Sequence, residues 1–179
     1  MSYQQFDRYY MDIAKAVQAG AKCLGSKVGA VVVLSNRIVS TGYNGTPNGF
    51  LNCDATEAGC VRCHDSHLNK TGRADKMTNS DHVSGKSLDR CICVHAEQNA
   101  FLTAARYGIP LEGSVLYSTH APCFSCLKEA IQVGIARIVY EEPYKMGLDK
   151  YLEKQYDDLC RHLCSARTLE SFVQLAVAE

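Results

Sequence analysis

Apolar positions along the chain follow first a helical and then a strand period, and the changes of period mark out the elements. Phe6, Tyr10, Ile13 and Val17 recur at spacings of four, three and four, which predicts a helix over residues 3–19 with one apolar face, ended by Gly20. Lys27-Val28-Gly29-Ala30-Val31-Val32-Val33-Leu34, a turn at Ser35-Asn36 and a return over residues 37–43 read as a hairpin rich in β-branched residues. A nearly continuous apolar run of this kind needs cover on both faces. Beyond residue 90 the helical period returns. Ala96, Ala100 and Ala104 lie a turn apart as small packing residues in a helix over 95–107, with Gly108 at its end. A strand over 113–119, a loop at 120–122, a helix over 123–133 and a strand over 135–140 follow. Leu152, Tyr156, Leu159 and Leu163 then mark a last long helix, and a short strand near 169–173 completes the order. That order predicts an α/β fold of three αβα layers, with a mixed five-stranded sheet between helices. No repeat or linker divides the chain, so residues 1–179 read as a single domain.

Between about residues 46 and 90 the periodicity fails, and a structureless loop of that length is improbable inside a compact domain. Cys53, Cys60, Cys63, Cys91 and Cys93 fall in or beside this insertion with His64 and His67, and Cys23 precedes the hairpin. Cys60-x-x-Cys63-His64 has ligand spacing, so a structural zinc could clamp the segment. The other reading is buried free cysteine with exposed histidine, and the residues leave both open. Cys160 and Cys164, a turn apart on the last helix, read as core fillers and not as ligands.

Composition narrows the class of partner. Lys plus Arg equals Asp plus Glu at 19 each, so no global basic field exists to attract a nucleic-acid backbone. Ten cysteines could suggest a secreted scaffold, but residues 1–7 contain no apolar run of a signal peptide, and the expected compartment is reducing and cytoplasmic. No stretch has the apolar length of a membrane span. A small, locally recognised substrate fits this balance, with no nucleic acid and no membrane.

The densest chemistry lies in residues 95–126. Cys123 and Cys126, three apart after Pro122, can aim both sulfurs the same way from the first turn of a helix, where thiolate is favoured. His95 can reach the same ion only from the first turn of its own helix, so two helix N-termini should converge. Three ligands, His95, Cys123 and Cys126, with a fourth position open are the catalytic arrangement for Zn²⁺. Glu97, two residues after His95, is then the proton carrier and not a ligand. His120 reads as a loop or substrate-contact histidine, because a fourth protein ligand would close the site. The pattern His-x-Glu…Pro-Cys-x-x-Cys is the known signature of zinc nucleobase deaminases. Gly42-Tyr43-Asn44-Gly45-Thr46-Pro47-Asn48-Gly49 suits a tight loop where backbone approaches a ligand, although most such clusters are only turns.

With these motifs placed, the chain resembles the cytidine and deoxycytidylate deaminase superfamily, and within it the deoxycytidylate (dCMP) deaminases. The resemblance is carried by Ser26-Lys27-Val28-Gly29-Ala30, the Gly42-Tyr43-Asn44-Gly45 loop with Pro47 and Gly49, His95-Ala96-Glu97-Gln98-Asn99-Ala100, and Pro122-Cys123-Phe124-Ser125-Cys126. It implies the cytidine-deaminase fold and a zinc-dependent hydrolase that converts dCMP to dUMP and ammonia. It also implies a homo-oligomer, often a hexamer, with dCTP as activator and dTTP as inhibitor; because the chain has no net positive charge to neutralise a triphosphate, the effector is expected to bind with Mg²⁺. By position, Asn44 resembles the residue that bonds the sugar, Lys27 a phosphate partner, and Ala96 and His120 contacts to the pyrimidine edge. Arg106 resembles a position near the effector and subunit interface, and the 42–49 loop, with Gly45, Asn48 and Gly49, is the expected backbone cradle for the effector triphosphate. Two other readings remain: the same chemistry on dCTP or another cytosine nucleotide, and a catalytically silent zinc-stabilised nucleotide-binding module. The long middle segment and Cys91-Ile92-Cys93 just before His95 depart from the family pattern, and leave the count and ligands of any second zinc open.

Overall fold

A computed structural model describes residues 3–55, 60, 91–143, 150–166 and 172–175. Helix α1 (Tyr3–Gln18) leads into the hairpin β1 (Gly29–Leu34) and β2 (Arg37–Tyr43). After the insertion come α2 (Ala96–Arg106), β3 (Val115–His120), α3 (Phe124–Gln132), β4 (Arg137–Glu142), α4 (Lys150–Ala166) and β5 (Phe172–Gln174). Element types and order agree with the periodicity, and the differences are at the ends. The first strand begins at Gly29 and not Lys27, the third runs through His120 where a loop was expected, and the last lies at 172–174 instead of 169–173. His95 and Cys123 are N-caps with extended backbone, not first-turn residues of their helices. A periodic pattern registers which residues face the core; it does not register the capping residue, whose backbone is still extended.

The five strands form one mixed sheet in the order β2-β1-β3-β4-β5. β1 pairs antiparallel with β2 and with β3, while β3–β4 and β4–β5 are parallel. The hairpin turns through Ser35 (φ 50°) and Asn36 (φ 59°), both left-handed, as a two-residue turn matched to strand twist requires. Its register slips between Val32 and Val33, where Val39 is the extra residue.

Both faces of the sheet are covered. Tyr10, Met11 and Ala14 of α1 pack on Val31, Val33, Tyr117 and Val139. On the other face Ala96, Ala100, Phe101 and Ala104 of α2, Leu127 and Ala130 of α3, and Tyr156 and Leu163 of α4 cover Ala30, Val32, Leu116 and Ile138. Burial of this apolar surface is the main force holding the layers together, at roughly 25 cal/mol per Å².

Ionic contacts unforeseen from periodicity fix α1. Buried Asp7 accepts two hydrogen bonds from Arg137 at 2.6 and 2.7 Å and one from the Tyr117 hydroxyl at 2.9 Å. Glu141, also buried, pairs with Arg8 and Lys15, each at 2.8 Å. A buried carboxylate needs such partners, and losing one would leave an uncompensated charge.

The seam between β2 and α2 matters most for the site. A Cβ on Gly42 would strike the backbone of Ala96 and Ala100, so only glycine lets the strand come this close to the helix. Ser40 donates to the Ala100 carbonyl at 2.6 Å and Asn99 donates to the Tyr43 carbonyl at 2.7 Å. The start of α2 is thereby fixed against the sheet edge. Among the described residues, no helix is long and apolar enough to cross a membrane.

Candidate metal centre and its surroundings

His95, Cys123 and Cys126 come together as their spacing implied. His95 caps α2, Cys123 caps α3, and Cys126 lies on the first turn of α3 with no exposed surface. Each sulfur lies 3.4 Å from His95 Nδ1. On a tetrahedral zinc, nitrogen and sulfur ligands stand about 3.6 Å apart, from Zn–N near 2.05 Å and Zn–S near 2.3 Å. The donor set and its spacing therefore fit Zn²⁺. The three donor atoms lie within 4.8 Å of one another, and Glu97 is not part of that group.

The electrostatics of the three donors are mutually dependent. Hydrogen bonding to Cys123 raises His95 to about 9, against the opposing effect of burial. Cys123 falls to about 4, chiefly through the hydrogen bond from Cys126 and then through His95, again against burial. Cys126 is pushed upward by its bond to Cys123 and by burial. The pair thus holds one thiolate at the N-terminus of α3, where the helix dipole also favours negative charge.

Glu97, 4% exposed, sits beside this cage. Burial raises its carboxyl above the ordinary carboxylate range, with smaller lowering contributions that include His95 and Ser118. The Ser118 hydroxyl donates to Glu97 Oε1 at 3.3 Å from the middle of β3. A carboxyl raised by burial holds a proton more readily than an exposed one, which suits a group that accepts a proton and returns it.

Several supporting residues were not visible as functional in the sequence. Gln98 accepts from the His95 N–H at 3.1 Å and donates to Glu129 at 2.9 Å, which links the first turn of α2 to α3. A glutamine three positions after a helix cap was the available signal for the first of these bonds. The Tyr156 hydroxyl donates to the Pro122 carbonyl at 2.8 Å, so α4 holds the residue before Cys123. Neither that bond nor the one from Ser118 has a local sequence signal, because each joins residues distant in the chain.

The remaining candidates fall around the rim. Asn44 is 8% exposed, and its side chain accepts from the Val28 N–H at 2.7 Å and donates to the Ser26 carbonyl at 2.8 Å, so it ties the 42–49 loop to the segment before β1. Lys27 is exposed beside it, and its carbonyl accepts from Gln18 at 2.6 Å. Ala96 is fully buried on the first turn of α2. His120 is half-buried at the end of β3, 3.3 Å from Thr119 Oγ1, and burial lowers its pKa while Glu142 opposes the shift. Gly45 is buried and bridges Val94, whereas Asn48 and Gly49 are exposed, Gly49 at φ 83°. Thr46 Oγ1 is buried with no hydrogen-bond partner among the described residues. Arg106 is exposed at the end of α2 near Leu102 and Tyr107, which are 60% and 72% exposed. Cys160 is half-buried against the core, where burial pushes its thiol up to about 12, as a packing residue would be.

Of the structural-zinc candidates, Cys23, Cys53, Cys60, Cys91 and Cys93 gather in a cluster whose donor groups are separate from that of His95, Cys123 and Cys126. Cys63, His64 and His67 lie outside the described residues.

A mixed sheet with a His–Cys–Cys cage at two helix N-termini and a buried carboxylate beside it defines a zinc-site α/β protein of the deaminase type. Residues 4–142 match the cytidine and deoxycytidylate deaminase zinc-binding region, and the chain belongs to that family. A deoxycytidylate deaminase of Enterobacteria phage T2 is 37% identical over 161 residues, covering 79% of this chain and 84% of that protein. The deoxycytidylate deaminase of Schizosaccharomyces pombe is 38% identical over 141 residues, and the chain spans only 38% of its length. The crystal structure of dCMP deaminase from cyanophage S-TIM5 in complex with dCMP and dUMP superposes with a TM-score of 0.63 at 26% identity, covering 98% of this chain and 99% of that one.

Proposed function

We propose that this chain hydrolyses dCMP to dUMP and ammonia, with residues 1–179 acting as one catalytic domain. The observation that carries the reading is the buried Glu97 beside three donors spaced for zinc. Family membership and the phage relatives named for this activity support it. A zinc ion held by His95, Cys123 and Cys126 would leave one position open and supply the acidity that makes its water a nucleophile near neutral pH.

Glu97 does the proton work. It takes a proton from the attacking water and delivers it to N3 of the cytosine as oxygen bonds to C4. It then moves the second proton to the amino group, the C4–N4 bond breaks, and ammonia leaves. Ser118 holds the carboxylate by its hydrogen bond, and the dry surroundings raise its affinity for the proton it carries. Ala96 and His120 flank the pyrimidine in this reading, while Asn44 contacts the sugar and Lys27 the phosphate.

Regulation belongs to the same proposal. dCTP with Mg²⁺ activates and dTTP inhibits at a site built on Gly45, Asn48 and Gly49, with Arg106 passing the change across the interface of a homo-oligomer, a hexamer by resemblance. Opposite effects require the two triphosphates to prefer different states of one oligomer. The exposed Leu102, Arg106 and Tyr107 at one helix end support an interface there. The expected setting is a reducing cytoplasm.

The test is ultraviolet absorbance of purified protein with dCMP, dCTP and cytidine. Loss of the cytosine band with dCMP alone is expected. Turnover of dCTP in preference to dCMP would reassign the substrate, and no turnover of any of them would leave only a nucleotide-binding module. Substrate curves for dCMP should be sigmoidal alone, hyperbolic with dCTP and suppressed by dTTP. Hyperbolic curves indifferent to both would remove the regulation.

A further inference from the structure

Gln98 lies between the two helices that carry the cage and bonds to both. Its side-chain oxygen accepts from the His95 N–H at 3.1 Å, and its side-chain nitrogen donates to Glu129 Oε1 at 2.9 Å. The two bonds settle the orientation of the carboxamide, because turning it over would set oxygen against carboxylate and NH₂ against N–H. The first bond closes a cap within α2, as a glutamine three positions after a helix cap can do. The second plays no part in capping and runs to the second turn of α3, with both side chains half-buried.

The placement of this second bond repeats that of the ligands. His95 and Gln98 are three apart at the start of α2, and Cys126 and Glu129 are three apart on α3. His95 Nδ1 lies 3.4 Å from Cys126 Sγ, and three residues further along both helices Gln98 meets Glu129. Three residues of helix advance about 4.5 Å, so the second contact lies a short step from the first. Besides the bond to Cys123 and burial, the charge of Glu129 also helps push the Cys126 thiol up, as its place on the same face of α3 implies.

Apolar packing alone does not fix the spacing of the two helices here. Beside the cage they meet the core through Ala96 and Ala100 on one side and Leu127 and Ala130 on the other, and burial is non-directional. A zinc site accepts its ligands only within about 0.2 Å of the proper distance. A hydrogen bond to a carboxylate is directional and strong enough to hold such a tolerance.

We propose that Gln98 and Glu129 form a latch between α2 and α3 that sets the separation of His95 from Cys126 and so retains zinc in the cage. Both are positioning residues and act only through the ligands. The inference rests on the reading of His95, Cys123 and Cys126 as zinc ligands, and adds what keeps their helices in register.

The experiment follows zinc release to a colorimetric chelator from the full-length chain, without substrate, at about pH 8 where carboxyls are ionised. The zinc that Cys126→Ser lacks identifies the cage ion. Gln98→Glu is the decisive variant. Its carboxylate still accepts from the His95 N–H and suits a helix N-terminus, so a role in capping alone predicts native release. Added negative charge near a cation, acting alone, predicts slower release. The latch predicts the opposite, since two carboxylates then face each other across the helices. Cage zinc should be held about 10–100-fold more weakly and released correspondingly faster. Adding Glu129→Gln to Gln98→Glu remakes the bond with donor and acceptor exchanged, and should return release to the native rate. Native or slower release from Gln98→Glu, or faster release that the second substitution does not reverse, would overturn the latch. Should Gln98→Glu fail to fold, Glu129→Ala is compared with Glu129→Gln, which also lacks the charge but keeps the bond. Faster release from the alanine variant alone is expected, and equal rates would sink the proposal. Zinc content unchanged by Cys126→Ser would sink the cage reading and the latch with it, whereas latch-dependent zinc in a chain inert on dCMP would sink the deaminase reading alone.

Discussion

The two cysteine-bearing sites of this chain lie two residues apart along the backbone, from Cys93 to His95, yet they are assembled in opposite ways. The His95 site stands on the ends of two regular helices. Its ligand spacing is set by helix geometry, and hydrogen bonds from Ser118 of the sheet, Gln98 of α2 itself and Tyr156 of α4 hold Glu97, His95 and Pro122. The five-cysteine site stands on strand borders and loops, with few apolar residues around it. A site built on rigid elements can leave a coordination position open and still hold its shape. A cluster built on loops has no such frame; its thiols join the segment before β1, the stretch after the 42–49 loop and the lead into α2. The contrast sets a site on rigid elements apart from a cluster that joins loops.

Removing the proton carrier makes that separation sharpest. Glu97→Ala should reduce kcat on the order of 10²–10⁴-fold, the usual share of general acid–base catalysis. It should leave the zinc at His95, Cys123 and Cys126 and the unfolding midpoint nearly intact. Deamination rate and zinc content measured on one preparation decide the matter: zinc loss from this variant would make Glu97 a ligand, and undiminished kcat would take it out of the mechanism.

Gly42 lies on the seam from which α2 is positioned. Alanine there meets the Ala96 carbonyl and the Ala100 amide, so the helix must shift or the variant must lose stability on the order of 1–3 kcal/mol. Displacement of His95 by even about 1 Å could cost on the order of 10²-fold in rate. Gly42→Ala should therefore lose activity together with stability, unlike Glu97→Ala. Wild-type kcat and melting in this variant would mean that the seam does not position the site.

How much of this was legible in the sequence follows from the same contrast. The 95–126 ligands could be read because their spacing is local: Cys123 and Cys126 are a helix turn apart, and His95 and Glu97 start another helix. β1 and β2 were legible by their apolar run and by the Ser35–Asn36 turn. The carboxylates were not. Asp7 with Arg137 and Glu141 with Arg8 join residues more than a hundred positions apart, and nothing in a periodic pattern distinguishes them from surface charges. The same holds for the union of Cys23 and Cys53 with Cys93, which depends on how the hairpin and the start of α2 are folded together. Cys123 and His95 were placed one position too deep in their helices because caps carry no periodic signal.

Tyr156 tests a long-range support for the His95 site. Its buried hydroxyl is the partner of the Pro122 carbonyl, so Tyr156→Phe leaves a buried acceptor short of a bond, at a cost of about 1–3 kcal/mol. For a chain of this size that is a fall of roughly 2–4 °C in the unfolding midpoint per kcal/mol. Zinc at the His95 site should be released to a chelator faster than the loss of overall stability accounts for. Release that only keeps pace with global unfolding would show that α4 supports the whole fold and not this cage.

The smallest expected effect concerns His120, at the rim between the sheet and the cage. Burial holds its imidazole below the ordinary 6.5, with Glu142 opposing, so the fold favours the neutral form. As the pH falls below the ordinary value, the unfolded chain binds a proton that the native chain still refuses, and stability bound up with the neutral ring drains away. The contribution is therefore present above about pH 6.5 and is lost as the pH falls through the lower native value. His120→Gln removes this one titration and keeps a polar side chain. With zinc in excess, its unfolding midpoint should fall less steeply than that of the native protein between about pH 7 and about pH 5. Parallel slopes would mean that Glu142 offsets the burial fully. A steeper slope for the variant would reverse the sign, and would place His120 as a protonated partner of Glu142 in the native state.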